Sequence, residues 1–258
     1  MSPPDPLAAH DIALVRANNP GPFTLSGSNT WIVGRDPCWV IDPGPDLEEH
    51  LAAVAGEAGR RGGAGAILLT HDHGDHADAT PALALRLGVP TAAARWPAAT
   101  TLLADGDTVG PLTAMATPGH APDHLAFVYG RVCFTGDAVL GEGSVFVAPD
   151  PGALRGYLAA LERLRALELE LLCPGHGPVV EDPAAKLEHY ISHRLDREWK
   201  LVEALEEGLR SVEDVLDRVW SDVPEQLRPA AAVTLAAHLD KLDEEDRLPD
   251  GVERPAGF

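Results

Sequence analysis

The sequence predicts an α/β domain followed by a small, mainly α unit. Up to about residue 182, short apolar segments alternate with amphipathic stretches, and glycine- and proline-marked turns separate them. From 183 onward the apolar spacing is helical, with acidic and basic residues mixed on the exposed faces. A chain of 258 residues accommodates one sizeable domain plus a small one. The expected division is 1–182 and 183–258.

In chain order, "FTLSGSNTWIVG" (23–34) and "CWVIDPG" (38–44) read as consecutive strands around a Gly34–Pro37 turn. "DLEEHLAAVAGEAGRR" (46–61) places Leu47, Leu51, Val54 and Ala58 at helical spacing. "GAILLTH" is a nearly continuous apolar run, the profile of a strand buried on both faces. A helix over 77–88 and a strand over 89–94 follow. After turns at Asp105–Gly106 and Gly110–Pro111, residues 124–137 read as a hairpin turning near Gly130. An amphipathic helix spans 151–167, and 169–177 is a strand running into a loop.

The C-terminal unit reads as a helix over 183–207, a second opening at Ser211 with Asp214 completing a capping box, and a third over 225–244. The closing 244–258 reads as a short hairpin. Three helices and a hairpin outline a winged-helix module; a helical lid or dimerisation arm fits the same pattern.

Composition narrows the function classes. The formal charge of −20 opposes unaided polyanion binding and lacks the basic footprint of a nucleic-acid reader. The predicted third helix offers only Arg228 and Lys241 against Glu225, Asp240, Asp243 and Glu244, so no duplex DNA binding is expected. Apolar runs are far too short for a membrane span, and no membrane partner is expected. The N-terminal residues resemble neither a secretory signal nor a transit peptide. Three scattered cysteines, Cys38, Cys133 and Cys173, argue against a disulfide framework, and a cytoplasmic setting is expected.

The chemistry concentrates in "THDHGDH" (70–76). His71, His73 and His76 follow a predicted buried strand, where backbone rigidity aims side chains into a common crevice. Imidazole suits zinc and a carboxylate completes its shell. Alone, the stretch also fits a polar surface loop. It is followed by "ATPGH" ending at His120, "CFTGD" ending at Asp137 and "CPGHG" carrying His176, each at a predicted strand end with a glycine alongside. That recurrence favours a metal site. Cys173, Trp31 and Trp39 read as core, and His10, His50, His189 and His238 as surface or packed residues. Ser26 and Ser28 lack a general-base pattern, so a serine hydrolase is disfavoured.

"THDHGDH", "TPGH", "FTGD" and "PGHG", in that order after "VIDPG", resemble the metallo-β-lactamase superfamily over roughly 23–180. The resemblance implies a four-layer αβ/βα sandwich with metals along one edge of two facing sheets. Carried over residue by residue, His71, His73 and His120 hold one zinc. Asp75, His76 and His176 hold a second, and Asp137 bridges both. Two Zn2+ per chain are expected, with other divalent metals possible. Asp42 matches a supporting aspartate, and His124 a further histidine near the site, either substrate contact or packing. "TGDAVLGEGSVFV", "CPGHGPVV" and "HYISHRLDRE", with the winged-helix outline, are similar to the branch that includes a mitochondrial endoribonuclease. That branch sets His193 and Arg194 at the cleft between the two units.

The expected chemistry is hydrolysis by a hydroxide shared between two zinc ions, with Asp75 and Asp137 as the catalytic carboxylates. The substrate is a phosphodiester in single-stranded RNA, favoured through the branch resemblance, or a thioester of the hydroxyacylglutathione type. A metal-stabilised binding or regulatory protein is the remaining class. Oligomeric state is not legible.

Overall fold

The computed structural model describes residues 6–256. A 3-10 turn at Ala8–His10 leads into β1 (Ile12–Arg16), which pairs antiparallel with β2 (Asn29–Val33); β2 pairs antiparallel with β3 (Cys38–Ile41). α1 (Glu48–Arg60) crosses over to β4 (Ala64–Leu68), parallel to β3. The short α2 (Gly74–Ala77) and α3 (Thr80–Leu87) lead to β5 (Thr91–Ala93) and β6 (Thr101–Leu102), which complete a six-stranded sheet in sequential order. The second sheet is a meander of β7 (Thr108–Val109), β8 (Leu112–Ala116), β9 (Leu125–Tyr129) and β10 (Val132–Gly136). α4 (Ala153–Arg165) then crosses to β11 (Leu171–Pro174), parallel to β10. α5 (Pro183–Glu206), α6 (Val212–Val219) and α7 (Arg228–Glu244) close the chain.

Strand alternation builds the layers. Trp31 and Val33 of β2 and Phe134 of β10 point between the sheets, with Trp31 and Phe134 rings 5.9 Å apart. Ile32 turns outward beneath α1 and α3, while Cys133 turns outward beneath α4. α4 presents Leu154, Tyr157, Leu161 and Leu164 to its sheet at helical spacing. The result is the expected αβ/βα sandwich.

Strand direction then places the site. β8, β10 and β11 all run the same way, because β9 is antiparallel to both β8 and β10. Their C-terminal ends therefore meet at one edge, opposite the exit of β4.

α5 is shared. Its first half supplies Leu187, Tyr190 and Ile191 to the core beneath α4, and its second half supplies Leu201, Ala204 and Leu205 to a separate core with α6 and α7. The expected division at 182/183 falls at the start of this helix. The Ser211 cap forms, its Oγ accepting from Asp214 N at 3.1 Å.

Several expected elements differ. Only 29–33 of the predicted 23–34 strand pairs as β2; Leu25 and Gly27 take positive φ (55° and 123°), which breaks an extended ladder, and residues 23–28 form a loop over the site edge. β1, β6 and β7 were not anticipated as strands, and β8 only as a strand end leading to "ATPGH". The third helix begins with a 3-10 turn at Glu225–Leu227, because Pro229 suits only a helix's first turn. Among the described residues, the closing segment forms no hairpin: it turns at 250–251, and Glu253 N donates to Arg210 O, tying it to α6's approach. No helix among them is long and apolar enough to cross a membrane.

Tyr190 on α5 fixes the loop after β10: its hydroxyl accepts from Leu140 N and donates to Gly143 O, both at 3.0 Å. Replacing Tyr190 with Phe leaves the buried Leu140 amide unpaired. The variant is expected to lose about 1–3 kcal/mol in urea denaturation while retaining its sheet structure.

Candidate metal centre

Every ligand candidate sits just beyond a strand. His71 and His73 lie in the loop after β4, and Asp75 and His76 on α2. His120 follows β8, Asp137 follows β10 directly, and His176 stands just past β11. Two glycines permit the crowding. Gly136 has φ 46°, and a Cβ there would meet Thr70 Oγ1 at 2.6 Å. A Cβ at Gly175 would stand 2.5 Å from His76 Cε1 and 2.6 Å from Asp137 Oδ1, inside the donor space.

A buried carboxylate sets the ring orientations. Asp42, held at φ 52°, accepts from Thr70 N and Thr70 Oγ1 at 2.7 Å and from His76 Nδ1 at 2.9 Å. Because the Thr70 hydroxyl gives its proton to Asp42, it accepts from His71 Nδ1 at 3.0 Å. His120 Nδ1 reaches Phe146 O at 3.4 Å, and His176 Nδ1 reaches Gly27 O at 3.5 Å. Four rings thus use Nδ1 against the protein and turn Nε2 into a common space.

Those inward atoms have few protein partners of the right sign. His120 Nε2 faces His73 Nδ1 at 3.0 Å, and His76 Nε2 faces His176 Nε2 at 3.2 Å. His176 Nε2 lies 3.1 Å from Asp75 Oδ2, and both it and His76 Nε2 lie 3.5 Å from Asp137 Oδ1; His120 Nε2 is 3.5 Å from Asp137 Oδ2. His71 Nε2 and Asp137 Oδ1 are buried with no hydrogen-bond partner among the described residues. Facing lone pairs repel unless a cation or proton lies between them. Tetrahedral bonds of about 2.0–2.1 Å place ligand atoms about 3.4 Å apart, so this spacing fits a metal of the zinc class. Donor atoms of His71, His73 and His120, of His71, His76 and Asp137, and of Asp75, His76 and His176 form three such groups, each within 4.8 Å.

The protein's own charges show how the site balances without a cation. Burial disfavours a charged His76, but Asp137 and Asp42 outweigh it and hold its pKa well above the usual range. Burial likewise opposes charge on His176, yet the Asp137 and Asp75 carboxylates beside it raise it to about 9. Burial, with His76 and His124 nearby, keeps His71 neutral.

His124 supports the site from behind. Its Nε2 accepts from Asp137 N at 3.0 Å, which leaves Nδ1 to donate to Thr117 Oγ1 at 2.7 Å. Burial depresses its pKa to about 3, consistent with this neutral form. His193 lies apart from the donor groups, on the wall of a cavity of about 610 Å³ that opens from them. Sequence reasoning missed three contacts: Thr70, Ser28, whose Oγ lies 3.3 Å from Asp75 Oδ2, and Phe146, whose ring packs 4.6 Å from His120. "T" adjoins the histidine motif, a usable signal; nothing local marks the other two.

Buried imidazoles and carboxylates converging on a cavity at the edge of a two-sheet sandwich define a metal-dependent hydrolase. Residues 94–176 match the metallo-beta-lactamase superfamily, and residues 211–249 match the beta-lactamase associated winged helix domain. The Beta-lactamase-like protein 2 homolog of Drosophila melanogaster is 32% identical over 263 residues, spanning 89% of this chain and 87% of its own. The chain belongs to the metallo-beta-lactamase superfamily and carries its associated winged helix domain, here built of helices. Atrochrysone carboxyl ACP thioesterase of Aspergillus chevalieri is 34% identical, spanning 85% of this chain and 76% of that protein. Among solved structures, a beta-lactamase domain protein from Burkholderia ambifaria shares the fold at 20% identity and TM-score 0.77, over 94% of this chain and 90% of its own. TTHA1623, solved in a di-iron-bound form, is 31% identical with TM-score 0.54, over 67% of this chain and 96% of its own.

A cation entering the site must displace the protons on His76 and His176. Apparent affinity for Zn2+ should therefore rise with pH up to at least about 9, the value to which metal-free His176 is raised. Competition titrations with a chromophoric chelator measure this; a flat profile over that range would contradict the ring assignments.

Proposed function

We propose that this protein is a dinuclear zinc hydrolase whose substrate is a thioester with an apolar acyl group. His71, His73 and His120 would hold one ion and Asp75, His76 and His176 the other, with Asp137 standing between the two groups. When bound, the two ions supply Lewis acidity, lowering the pKa of water to about 7 and drawing charge from the attacked carbonyl. The chain's own residues do the rest. Asp42 and Thr70 hold the His71 and His76 rings, and His124 holds the Asp137 amide. Asp75, with its side chain 31% exposed against 11% for Asp137, is the carboxylate able to exchange protons with the cavity.

The observation that carries the thioester reading is the cavity lining. Leu140, Val145, Phe146, Trp220 and Leu227 give it apolar walls. Its two arginines are buried: Arg194 donates one amino group to Val145 O, and Arg197 donates to Val219 O and pairs with Asp222 at 2.6 Å. Glu142 adds negative charge at the lining. A phosphodiester strand carries charge on both sides of its scissile bond and finds no exposed guanidinium here. Relatedness to an ACP thioesterase points the same way. Single-stranded RNA, the substrate favoured from sequence, keeps one supporting observation, the full-length likeness to the branch with the winged helix domain.

That domain serves as a wall. Its α7 turns Ala231 and Thr234 toward the cavity, while Arg228 pairs with Asp217 and Lys241 with Glu198. This supports no duplex DNA binding.

The test offers zinc-loaded protein a decanoyl thioester and labelled single-stranded RNA, with Asp137→Ala as control. Thioester turnover is expected, falling by about a thousandfold or more in the variant, since the shared carboxylate is lost. RNA cleavage with the thioester intact would reverse the assignment.

A further inference from the structure

The cavity that begins at the donor groups has two walls of different origin. The inner wall comes from the loop after β10, with Leu140, Val145 and Phe146. The outer wall comes from the C-terminal unit. There Leu227, Ala230, Ala231 and Thr234 stand at i, i+3, i+4 and i+7, a single helical face. Behind that face, Leu235, Leu239 and Leu242 are packed in the C-terminal core, whose edge Ala231 also joins. The face toward the cavity is instead built from two alanines and a threonine whose hydroxyl is satisfied within the helix, donating to Ala230 O at 3.1 Å.

The stripe does not stand alone. The same cavity is lined by Asp137, whose buried Oδ1 has no hydrogen-bond partner among the described residues, and by Arg194, 2% exposed, whose buried Nε also has none. Buried polar atoms left unpaired mark a space that a ligand or ordered solvent completes. At about 610 Å³, the space falls in the range of small-molecule sites, about 300–1,000 Å³.

Given the thioester reading above, on which this rests, we infer that Ala230, Ala231 and Leu227 determine the size of the acyl group accepted. The scissile carbonyl must sit at the donor groups, so one substituent of that carbonyl extends along these walls. The apolar substituent is the acyl chain; the small side chains of α7 leave it room, and Leu227 narrows it.

The test uses N-acetylcysteamine thioesters, whose leaving thiol is neutral, with acetyl and decanoyl groups. Ala230 is half-buried, so Ala230→Phe fills the cavity without entering the core. It should lower kcat/KM for the decanoyl ester by about tenfold or more and change the acetyl ester by less than about twofold. Leu227→Ala should shift the preference toward the decanoyl ester. A second readout needs no turnover: decanoate displacing a dansylated fatty acid from metal-free protein. Ala230→Phe should weaken that displacement by about tenfold while leaving zinc content unchanged. Decanoate binding that is sensitive to Ala230→Phe, with no thioester hydrolysed, supports the cavity assignment and overturns the hydrolytic reading. Thioester hydrolysis whose chain-length profile is the same in wild type and both variants overturns the role of α7.

Discussion

Imidazole nitrogens brought within about 3 Å of one another repel through their lone pairs, and the rest of this structure is arranged around making them stay. The restraint comes from behind. Asp42, Thr70, Phe146 O and Gly27 O each take an Nδ1 proton, directly or in relay, so that none of His71, His76, His120 and His176 can turn its lone pair away without losing a hydrogen bond. Those acceptors belong to strand ends and connecting loops of both sheets, so the donor space exists only when the sandwich is closed. Folding and site assembly are one event.

The division of labour between the two units follows from their physics. The sandwich supplies rigidity: parallel strand ends with buried flanks place charged groups to within the tolerance that coordination demands. The helical unit supplies shape, through side chains that touch the cavity without touching the donors. Such a partition lets one chemistry serve different substrates, because the wall can change while the ring orientations stay fixed.

Much of the donor set was legible in sequence because its signal is local. "THDHGDH" compresses four donors into one turn, and His120, Asp137 and His176 each stand beside a glycine at the end of an apolar run. The layers were legible only through the resemblance those motifs carry, because "NTWIV" and "VCFTG" are buried throughout and show no alternation. What escaped depends on distant approach. Ser28 looks like any serine until a loop from the first sheet carries it to Asp75. Phe146 reads as a lone aromatic until it stacks on His120. The wall of α7 was hidden because two alanines and a threonine at helical spacing look the same facing a core or a cavity. The preference for RNA reflected architecture, and the burial of the Arg194 and Arg197 guanidiniums could not be seen until the cavity walls were in place. The closing segment was misread because "PDG" marks a turn but does not say whether strands flank it.

α5 belongs to both cores, and that makes it a phase-setting shaft. A helix turns about 100° per residue, so one residue inserted between Ile191 and Leu201 would leave both cores intact in composition yet swing the outer wall around the shaft. Surface loops that carry neither donors nor cavity walls can lengthen with little consequence, but this junction counts residues. Exchange of C-terminal units between relatives would therefore have to preserve the helix register, and the crossover point with the best prospect lies beyond Leu205, where the shared helix ends and only the helical core remains.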